Sequence, residues 1–257
     1  IDYGTNSCRS LLVDLDDGSE IGSSVFPYPG GEMGILLDER NPNVARQNPQ
    51  DYLDGLETVT RGALDQAREK VPGFSTDQVI GIGIDTTGST VIPVNREGTP
   101  LGLLPEFKDS LNAMVWLWKD HTSHEEAAEI TGLGNRIRPQ IMAKCGGIYS
   151  SEWWWSKILH LKRTDPRVYN AAFSFVEHCD WIPAVLTGNT DPLTLKRGVC
   201  SAGHKAMFSK DWGGLPDKEF LGQLDPHLPH LRDHLYSEAH TSDTRAGGLC
   251  AEWAQRL

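Results

Sequence analysis

The sequence lacks the features that mark membrane-spanning, disulfide-stabilised or nucleic-acid-binding proteins. Its residues show no signal-peptide pattern and no apolar run long enough to cross a bilayer. Its five cysteines are scattered and form no Cys-x-x-Cys pair, as expected for free thiols in a reducing cytosol. The 24 Lys and Arg residues are outnumbered by 35 Asp and Glu residues, and the net charge of −11 argues against a general nucleic-acid surface. We therefore predict a cytoplasmic protein that binds neither membranes nor nucleic acids.

Metal-ligating clusters are also scarce. Nine histidines include two pairs spaced three apart, His121/His124 and His227/His230, but neither pair has a convincing third ligand nearby, so a zinc site is not expected. Apolar residues, in contrast, are plentiful. Of the 257 residues 39% are hydrophobic and eight are tryptophan, so we expect a substantial core in one large α/β domain or two smaller ones.

A polar turn stands at the start of the chain. Residues 1–2 end one strand, residues 3–8 form a tight loop and residues 10–14 form the returning strand. Gly4 lets the backbone approach a ligand closely, and the polar residues after it expose N–H groups of the kind that bind anions. Asp2 can hold hydrated Mg²⁺, and Arg9 offers a guanidinium suited to phosphate. The turn therefore suits phosphate and metal, although the same residue types also build β-turns that bind nothing.

The following segments predict the opening of a ribonuclease-H-like or actin-like domain. Residues 21–28 fit a third antiparallel strand, residues 30–48 a long loop, and residues 51–71 a helix with apolar positions near the helical period. Val79–Asp85 is almost wholly apolar, which predicts a strand in a sheet covered on both faces. Thr86–Ser89 follows the carboxyl end of that strand, where open α/β sheets place ligands.

The second half of the chain carries four further segments of interest. Met114–His121 is an apolar strand whose end presents a lysine, an acid and a histidine. Ser123 and Glu126 have the spacing of a capping box at the start of a helix. A later helix carries adjacent tryptophans at 153–155, of which at least one should face a cleft or a partner unless all three belong to the core. Arg197–Lys205 is a small-residue loop that delivers a lysine.

Taken together, these segments resemble the amino-terminal lobe of the FGGY carbohydrate kinases, and the resemblance runs essentially from end to end. The opening turn is a broad mark, shared in outline with actin-like and chaperone ATPases. The pieces Trp-Lys-Asp-His-Thr (118–122) and Ser-Ala-Gly-His-Lys (201–205) are more specific and favour the bacterial L-ribulokinase branch of the family over glycerol kinases and xylulokinases. The matching pieces are residues 2–9, 81–90, 112–122, 146–153, 179–186, 197–205, 212–216 and 249–257.

The resemblance implies a fold, a reaction and a set of site residues. The fold is a ribonuclease-H-like/actin-like ATPase domain, with a mixed central sheet flanked by helices and with insertions. The reaction is transfer of the ATP γ-phosphate to the 5-hydroxyl of L-ribulose with Mg²⁺, a step of L-arabinose catabolism that depends on positioning and charge neutralisation. By position, the resemblance assigns the ATP phosphates to Gly4, Thr5, Asn6 and Arg9, the metal to Asp2, and the sugar to Gly88, Trp118, Asp120 and Lys205.

The ends of the sequence suggest a piece of a longer protein. The chain begins inside a strand without an initiator methionine and ends on Leu257 inside an amphipathic segment. We expect residues 1–257 to be the sugar-binding lobe, with the family's general-base aspartate and its carboxy-terminal nucleotide-binding lobe beyond residue 257. The chain alone should then be inactive, because it lacks the general base. The resemblance also allows a homodimer.

Two other functions fit the same residues. The lobe could belong to a kinase for another pentulose or polyol, such as D-ribulose, D-xylulose or ribitol, because small differences in a substrate can decide specificity. It could instead be a sugar-binding module without catalysis, which a second lobe with a glycine-rich loop and an aspartate would argue against.

Overall fold

Two β-sheets organise the chain. The structure, a computed structural model, describes residues 1–257. Its strands are β1 (Asp2–Tyr3), β2 (Ser7–Val13), β3 (Glu20–Pro27), β4 (Leu36–Asp38), β5 (Asn41–Gln47), β6 (Asp85–Thr86), β7 (Val91–Val94), β8 (Val115–Trp116) and β9 (Ser174–Glu177). The first sheet has the order β3-β2-β1-β6, with β1 to β3 antiparallel and β6 parallel to β1. The second has the order β4-β5-β8-β7-β9, and all its pairs are antiparallel. The expected mixed sheet is therefore present, and a second sheet accompanies it.

Helices connect and flank these strands. No helix is both long enough and apolar enough to cross a membrane. The helices are α1 (Pro49–Lys70), α2 (His124–Ile137), α3 (Pro139–Lys144), α4 (Trp154–Thr164), α5 (Pro166–Ala171), α6 (His178–Thr187), α7 (Val199–Ala202), α8 (Lys218–Leu224), α9 (Leu228–Arg232) and α10 (Ala251–Arg256).

Helix α1 packs against the first sheet. Asn48 caps its start, because the Asn48 side chain accepts a hydrogen bond of 3.0 Å from the backbone N–H of Gln50, and Pro49 occupies the first helical position. Its buried residues recur at helical spacing, so they form one apolar stripe. The helix predicted over residues 51–71 is confirmed, with its start two residues earlier. The stripe comprises Tyr52, Leu56, Val59, Ala63 and Ala67.

The second sheet is buried on both faces. Successive strand residues point to opposite faces, so Trp116 and Phe175 enter the larger hydrophobic core while Val115 and Val176 enter the smaller one. The smaller core also contains residues of α1 and of β1, including Tyr3. Helix α1 and the first sheet are therefore joined to the second sheet by one continuous apolar cluster.

The long loop predicted over residues 30–48 is wrong in its second half. Strands β4 and β5 pair there as an antiparallel hairpin. The pattern hides β5 because two of its inward-facing residues are polar: Arg46 and Gln47 are each 1% exposed. Apolar alternation predicts a strand only where apolar side chains occupy the buried positions.

The prediction of a buried strand over Val79–Asp85 is also wrong. Only Asp85–Thr86 is paired as a strand, and Ile80 is 82% exposed. The chain beside this segment starts at Ile1, directly before β1, and the Ile1 amino group donates to the carbonyl of Gly83 at 2.8 Å. Because no strand lies beside residues 79–82, the side chains of Ile80 and Ile82 stay exposed.

The predicted capping box of α2 is not formed. Ser123 is the N-cap residue, but its hydroxyl donates to the carbonyl of Ser151 at 2.8 Å instead of accepting from the helix. Glu126 lies 3.0 Å from His160 Nδ1 and 3.7 Å from the guanidinium of Arg163. Tertiary partners have therefore replaced the local ones.

The three adjacent tryptophans divide between core and surface. Trp154 and Trp155 are fully buried, whereas Trp153 is half-buried and its ring centroid lies 5.1 Å from that of His204. Trp153 therefore contacts the segment that carries Lys205.

Replacing Gly22 should destabilise the fold. A Cβ added at Gly22 would lie 2.1 Å from the backbone oxygen of Ala63, so a G22A variant must push β3 away from α1. We expect the free energy of unfolding to fall by about 1–3 kcal/mol. Thermal unfolding followed by circular dichroism measures the change.

The control for G22A is G132A. Gly132 is an exposed residue of α2 with no atom near its added Cβ, so this variant should keep its stability or gain up to about 1 kcal/mol from helix propensity. A G22A protein that unfolds at the same temperature as the parent would contradict the tight contact between β3 and α1.

Candidate active site

The turn after β1 and the segment after β6 leave the first sheet at the same edge. Strands β1 and β6 are parallel, with Asp2 opposite Asp85 and Tyr3 opposite Thr86. The backbone N–H of Thr87 then donates to the carbonyl of Tyr3 at 3.1 Å. Because parallel strands that pair in register end together, residues 4–6 and residues 87–89 are neighbours. Ligands of open α/β sheets bind at edges of this kind.

The turn of residues 4–6, which we call the anion turn, is held from several sides. The N–H of Gly4 donates to Ser7 O at 2.9 Å, and the side-chain amide of Asn6 donates to Met33 O at 2.7 Å. The side-chain amide of Gln47 donates to Thr5 O at 2.8 Å. The backbone N–H groups of Thr5 and Asn6 have no acceptor within the protein. Two free N–H groups on a pre-shaped turn can bind an anion.

Charged side chains flank the anion turn. The Arg9 guanidinium lies 3.0 Å from the Asp2 carboxylate, and both side chains are about half exposed, at 57% and 44%. Asp85 lies beside Asp2 on the neighbouring strand, so the two carboxylates share one face of the sheet. No group of three or more metal-ligating side chains is present. One or two carboxylates completed by water and phosphate oxygens nevertheless fit Mg²⁺, which keeps most of its hydration.

Lys205 and Gly88 meet at this edge. The Lys205 ammonium lies 2.6 Å from the position that a Cβ on Gly88 would occupy. Glycine therefore leaves the space into which the lysine extends. Lys205 follows the short helix α7, and its carbonyl accepts a hydrogen bond from the hydroxyl of Tyr149. The structure thus brings two predicted sugar-binding residues together from distant parts of the chain.

Trp118 connects the predicted sugar residues to the anion turn. It is half-buried, and its indole N–H donates to the Thr5 hydroxyl at 3.0 Å. A residue predicted to bind sugar therefore contacts a residue predicted to bind phosphate. The short distance between Trp118 and Thr5 matters because group transfer requires the two substrates to be held side by side.

Asp120 has a different environment from the other predicted sugar residues. Its side chain is fully buried, and its carboxylate pairs with the guanidinium of Arg46. It also accepts hydrogen bonds from the N–H of Ala45 at 2.8 Å and the hydroxyl of Thr122 at 2.6 Å. The structure therefore places Asp120 beneath the Trp118 segment, where it holds the turn in place, and gives it no open surface for a sugar.

Four polar residues of the site region were not found from the sequence. Arg46 and Gln47 lie in the hairpin that was predicted as a loop. Lys157 and Glu177 are buried beneath Ser89, with Lys157 1% exposed and Glu177 3% exposed. The one available signal was at Lys157, which stands on the same stripe of α4 as apolar residues three and four positions away.

Two cavities of about 470 and 250 Å³ lie beside the segment that follows Lys205. Phe208 and Lys210 are among the residues that line the first, and His204 and Trp212 are among those that line the second. Neither cavity includes Gly88, Trp118 or Lys205. The candidate site is therefore the edge of the first sheet and neither of these cavities.

The same fold occurs in proteins of known structure. Solved structures that share it include sugar and polyol kinases. The chain matches a xylulose kinase from Rhodospirillum rubrum with a TM-score of 0.72 and 19% identity, over 99% of this chain and 45% of the other. It matches glycerol kinase from Plasmodium falciparum with a TM-score of 0.72 and 17% identity, over 98% of this chain and 44% of the other. At these identities the likeness concerns the fold alone.

The sequence comparison defines the family. The model of the N-terminal domain of the FGGY family of carbohydrate kinases matches residues 1–209, so the chain belongs to this family. It is 43% identical to the ribulokinase of Vibrio parahaemolyticus and 40% identical to that of Shouchella clausii, over 100% of this chain in each case. The chain spans 45% of the length of each of these relatives. The resemblance read from the sequence motifs is confirmed.

Removing the charge of Asp120 should be costly. A D120N variant leaves the Arg46 guanidinium buried without a counter-charge, because both side chains are essentially inaccessible. Breaking a buried pair in this way costs about 3–5 kcal/mol. Urea unfolding measures the loss of unfolding free energy.

The matched control for D120N is D65N, which breaks the exposed ion pair between Asp65 and Arg68 on α1. That change should cost less than about 1 kcal/mol. If both variants lose the same small amount of stability, the Arg46–Asp120 pair does not support the Trp118 segment.

Proposed function

We propose that residues 1–257 form the sugar-binding lobe of an ATP-dependent L-ribulokinase, which transfers the ATP γ-phosphate to the 5-hydroxyl of L-ribulose in L-arabinose breakdown. One observation carries the proposal: the Lys205 ammonium reaches Gly88 at the same sheet edge as the anion turn. The indole of Trp118 donates a hydrogen bond to Thr5 of that turn. The likeness to ribulokinases over the whole chain supports it.

The anion turn has the chemistry for the phosphate end of ATP. The free N–H groups of Thr5 and Asn6 suit phosphate oxygens, and the Arg9 guanidinium adds a positive charge beside Gly4. Asp2 is the carboxylate that we assign to Mg²⁺, through water, with Asp85 beside it. A bound Mg²⁺ supplies neutralisation of the charge that develops on the transferred phosphoryl group.

The sugar end is assigned to the other side of the edge. The Lys205 ammonium can donate to sugar hydroxyls, Gly88 leaves room for a ligand near the backbone, and the Trp118 ring offers an apolar face to the sugar carbons. Asp120 acts here through the Trp118 segment, because its oxygens are already engaged.

The remaining machinery is assigned to a second lobe. The chain spans 45% of the length of each of the two ribulokinases named above, and we propose that the rest of such a protein provides the adenine site and the general base. We assign no residue within 1–257 as the general base. We also propose a cytoplasmic location and a homodimer.

Turnover assays test the proposal directly. The full-length protein and the 257-residue chain would be assayed for ADP release with L-ribulose, D-ribulose, D-xylulose, ribitol and glycerol. We expect the full-length protein to turn over L-ribulose fastest. The short chain should show no turnover, because loss of a general base alone costs about 10²- to 10⁴-fold.

Other outcomes of this assay have distinct meanings. A faster rate with another pentulose or polyol would move the assignment to that substrate. A well-folded full-length protein that is silent with every compound would favour a sugar-binding module without catalysis. Phosphorylation by the short chain would contradict the assignment of the base to a second lobe.

A Lys205 variant tests the sugar site. Replacing Lys205 by Met removes a charged donor, and such hydrogen bonds contribute about 1.5–3 kcal/mol. We expect the KM of the full-length protein for L-ribulose to rise about 10- to 100-fold while the KM for ATP changes little. Steady-state kinetics measure both constants.

The control for K205M is K210M, since Lys210 is an exposed lysine five positions along the same segment. It should leave both constants unchanged. If K205M raises the KM for ATP and leaves the KM for L-ribulose unaffected, Lys205 belongs to the nucleotide site and not to the sugar site.

A further inference from the structure

A lysine without access to solvent lies directly beneath the candidate site. Lys157 is 1% exposed and lies in the first turn of α4, on the side of the helix that enters the core. Burial lowers the pKa of the Lys157 ammonium well below its ordinary value, and the Glu177 carboxylate opposes that shift. A buried charge of this kind needs compensation from its surroundings.

Backbone carbonyls provide the compensation. The Lys157 ammonium donates to Leu117 O at 2.8 Å, to Ser89 O at 3.0 Å and to Trp116 O at 3.4 Å. Three N–H groups of one ammonium therefore meet three carbonyls, which satisfies both the donor and the acceptors.

These carbonyls belong to the two segments that carry predicted sugar residues. Ser89 directly follows Gly88, and Leu117 directly precedes Trp118. No backbone hydrogen bond joins residues 88–89 to residues 117–118; the nearest strand pairing is between Val91 and Trp116. The Lys157 ammonium is thus a direct polar link between the two segments.

Glu177 holds the same segment from another side. The Ser89 hydroxyl donates to one oxygen of the Glu177 carboxylate, and the N–H of Thr90 donates to the other at 2.7 Å. Residues 89–90 therefore lie between the buried carboxylate of Glu177 and the buried ammonium of Lys157, and hydrogen bonds join them to both. Apolar residues of the same size often give equal or better stability than buried charges, so stability alone does not explain this pair.

We infer that Lys157 is a positioning residue of the sugar site, which fixes the distance between Gly88 and Trp118 by binding the backbone beside each of them. This inference rests on the proposed function, since it takes Gly88 and Trp118 to contact the sugar. Lys157 itself acts through the two segments and reaches no ligand.

The test compares K157M with its parent in the full-length protein. Methionine fills similar space but cannot donate to the three carbonyls. Misplacement by about 1 Å can cost about 10²-fold in a reaction that depends on positioning. We expect the KM for L-ribulose to rise at least about tenfold and the KM for ATP to change by less than about twofold. K157Q keeps two N–H donors, so it should recover part of the loss.

Two controls separate positioning from general destabilisation. K162M changes a lysine of the same helix whose ammonium lies over the ring of Tyr169, 4.9 Å from its centroid, and it should change neither KM. G22A weakens the fold without touching the site, and it should also leave the KM for L-ribulose unchanged. Equal rises in both KM values for K157M, or the same rise for G22A, would overturn the inference.

Hydrogen exchange provides a readout that does not depend on turnover. In K157M, but not in K162M, amides of residues 87–90 and 117–120 should exchange faster than in the parent, while those of α1 should be unchanged. Unchanged exchange in both segments would overturn the inference. Faster exchange in a protein that phosphorylates none of the five compounds would support the link that Lys157 makes and would contradict the proposed kinase function instead.

Discussion

The parallel pairing of β1 with β6 is the constraint on which the candidate site depends. It sets Asp2 opposite Asp85 and so brings the anion turn and the Gly88 segment to one edge of the first sheet. A shift of one residue in this register would turn every side chain of the strand to the other face. The two carboxylates, the free N–H groups of the turn and the backbone of Gly88 are therefore arranged by one short stretch of backbone hydrogen bonds.

Buried polar groups in and beside the second sheet position the other half of the site. Arg46 and Asp120 hold the turn that carries Trp118, and Lys157 and Glu177 hold the segment that carries Gly88. Such groups contribute little net stability, because the cost of removing charge from water offsets the attraction. What they contribute is a fixed geometry, which matters in phosphoryl transfer because that chemistry depends mainly on position and charge.

Local patterns in the sequence predicted several elements well. The apolar spacing of residues 51–71 identified α1, and the pattern of residues 21–28 identified β3. Local patterns failed where distant partners decided the outcome. The strand of Arg46 and Gln47 was hidden because its buried residues are polar. Ile80 and Ile82 are exposed because no strand lies beside residues 79–82, and the Ser123 hydroxyl donates to Ser151 instead of capping its own helix.

The sequence by itself determined the main helix, the polar chemistry of the opening turn and the motifs that mark the family, since each of these resides in a few consecutive residues. Only the tertiary structure decided that Lys205 meets Gly88, that Trp118 bonds to Thr5, and that Asp120 faces the interior. The physical reason is that these outcomes depend on hydrogen bonds and burial between residues far apart in the chain. Periodicity reports which side of an element is apolar, but it does not report which partner a polar side chain will find there.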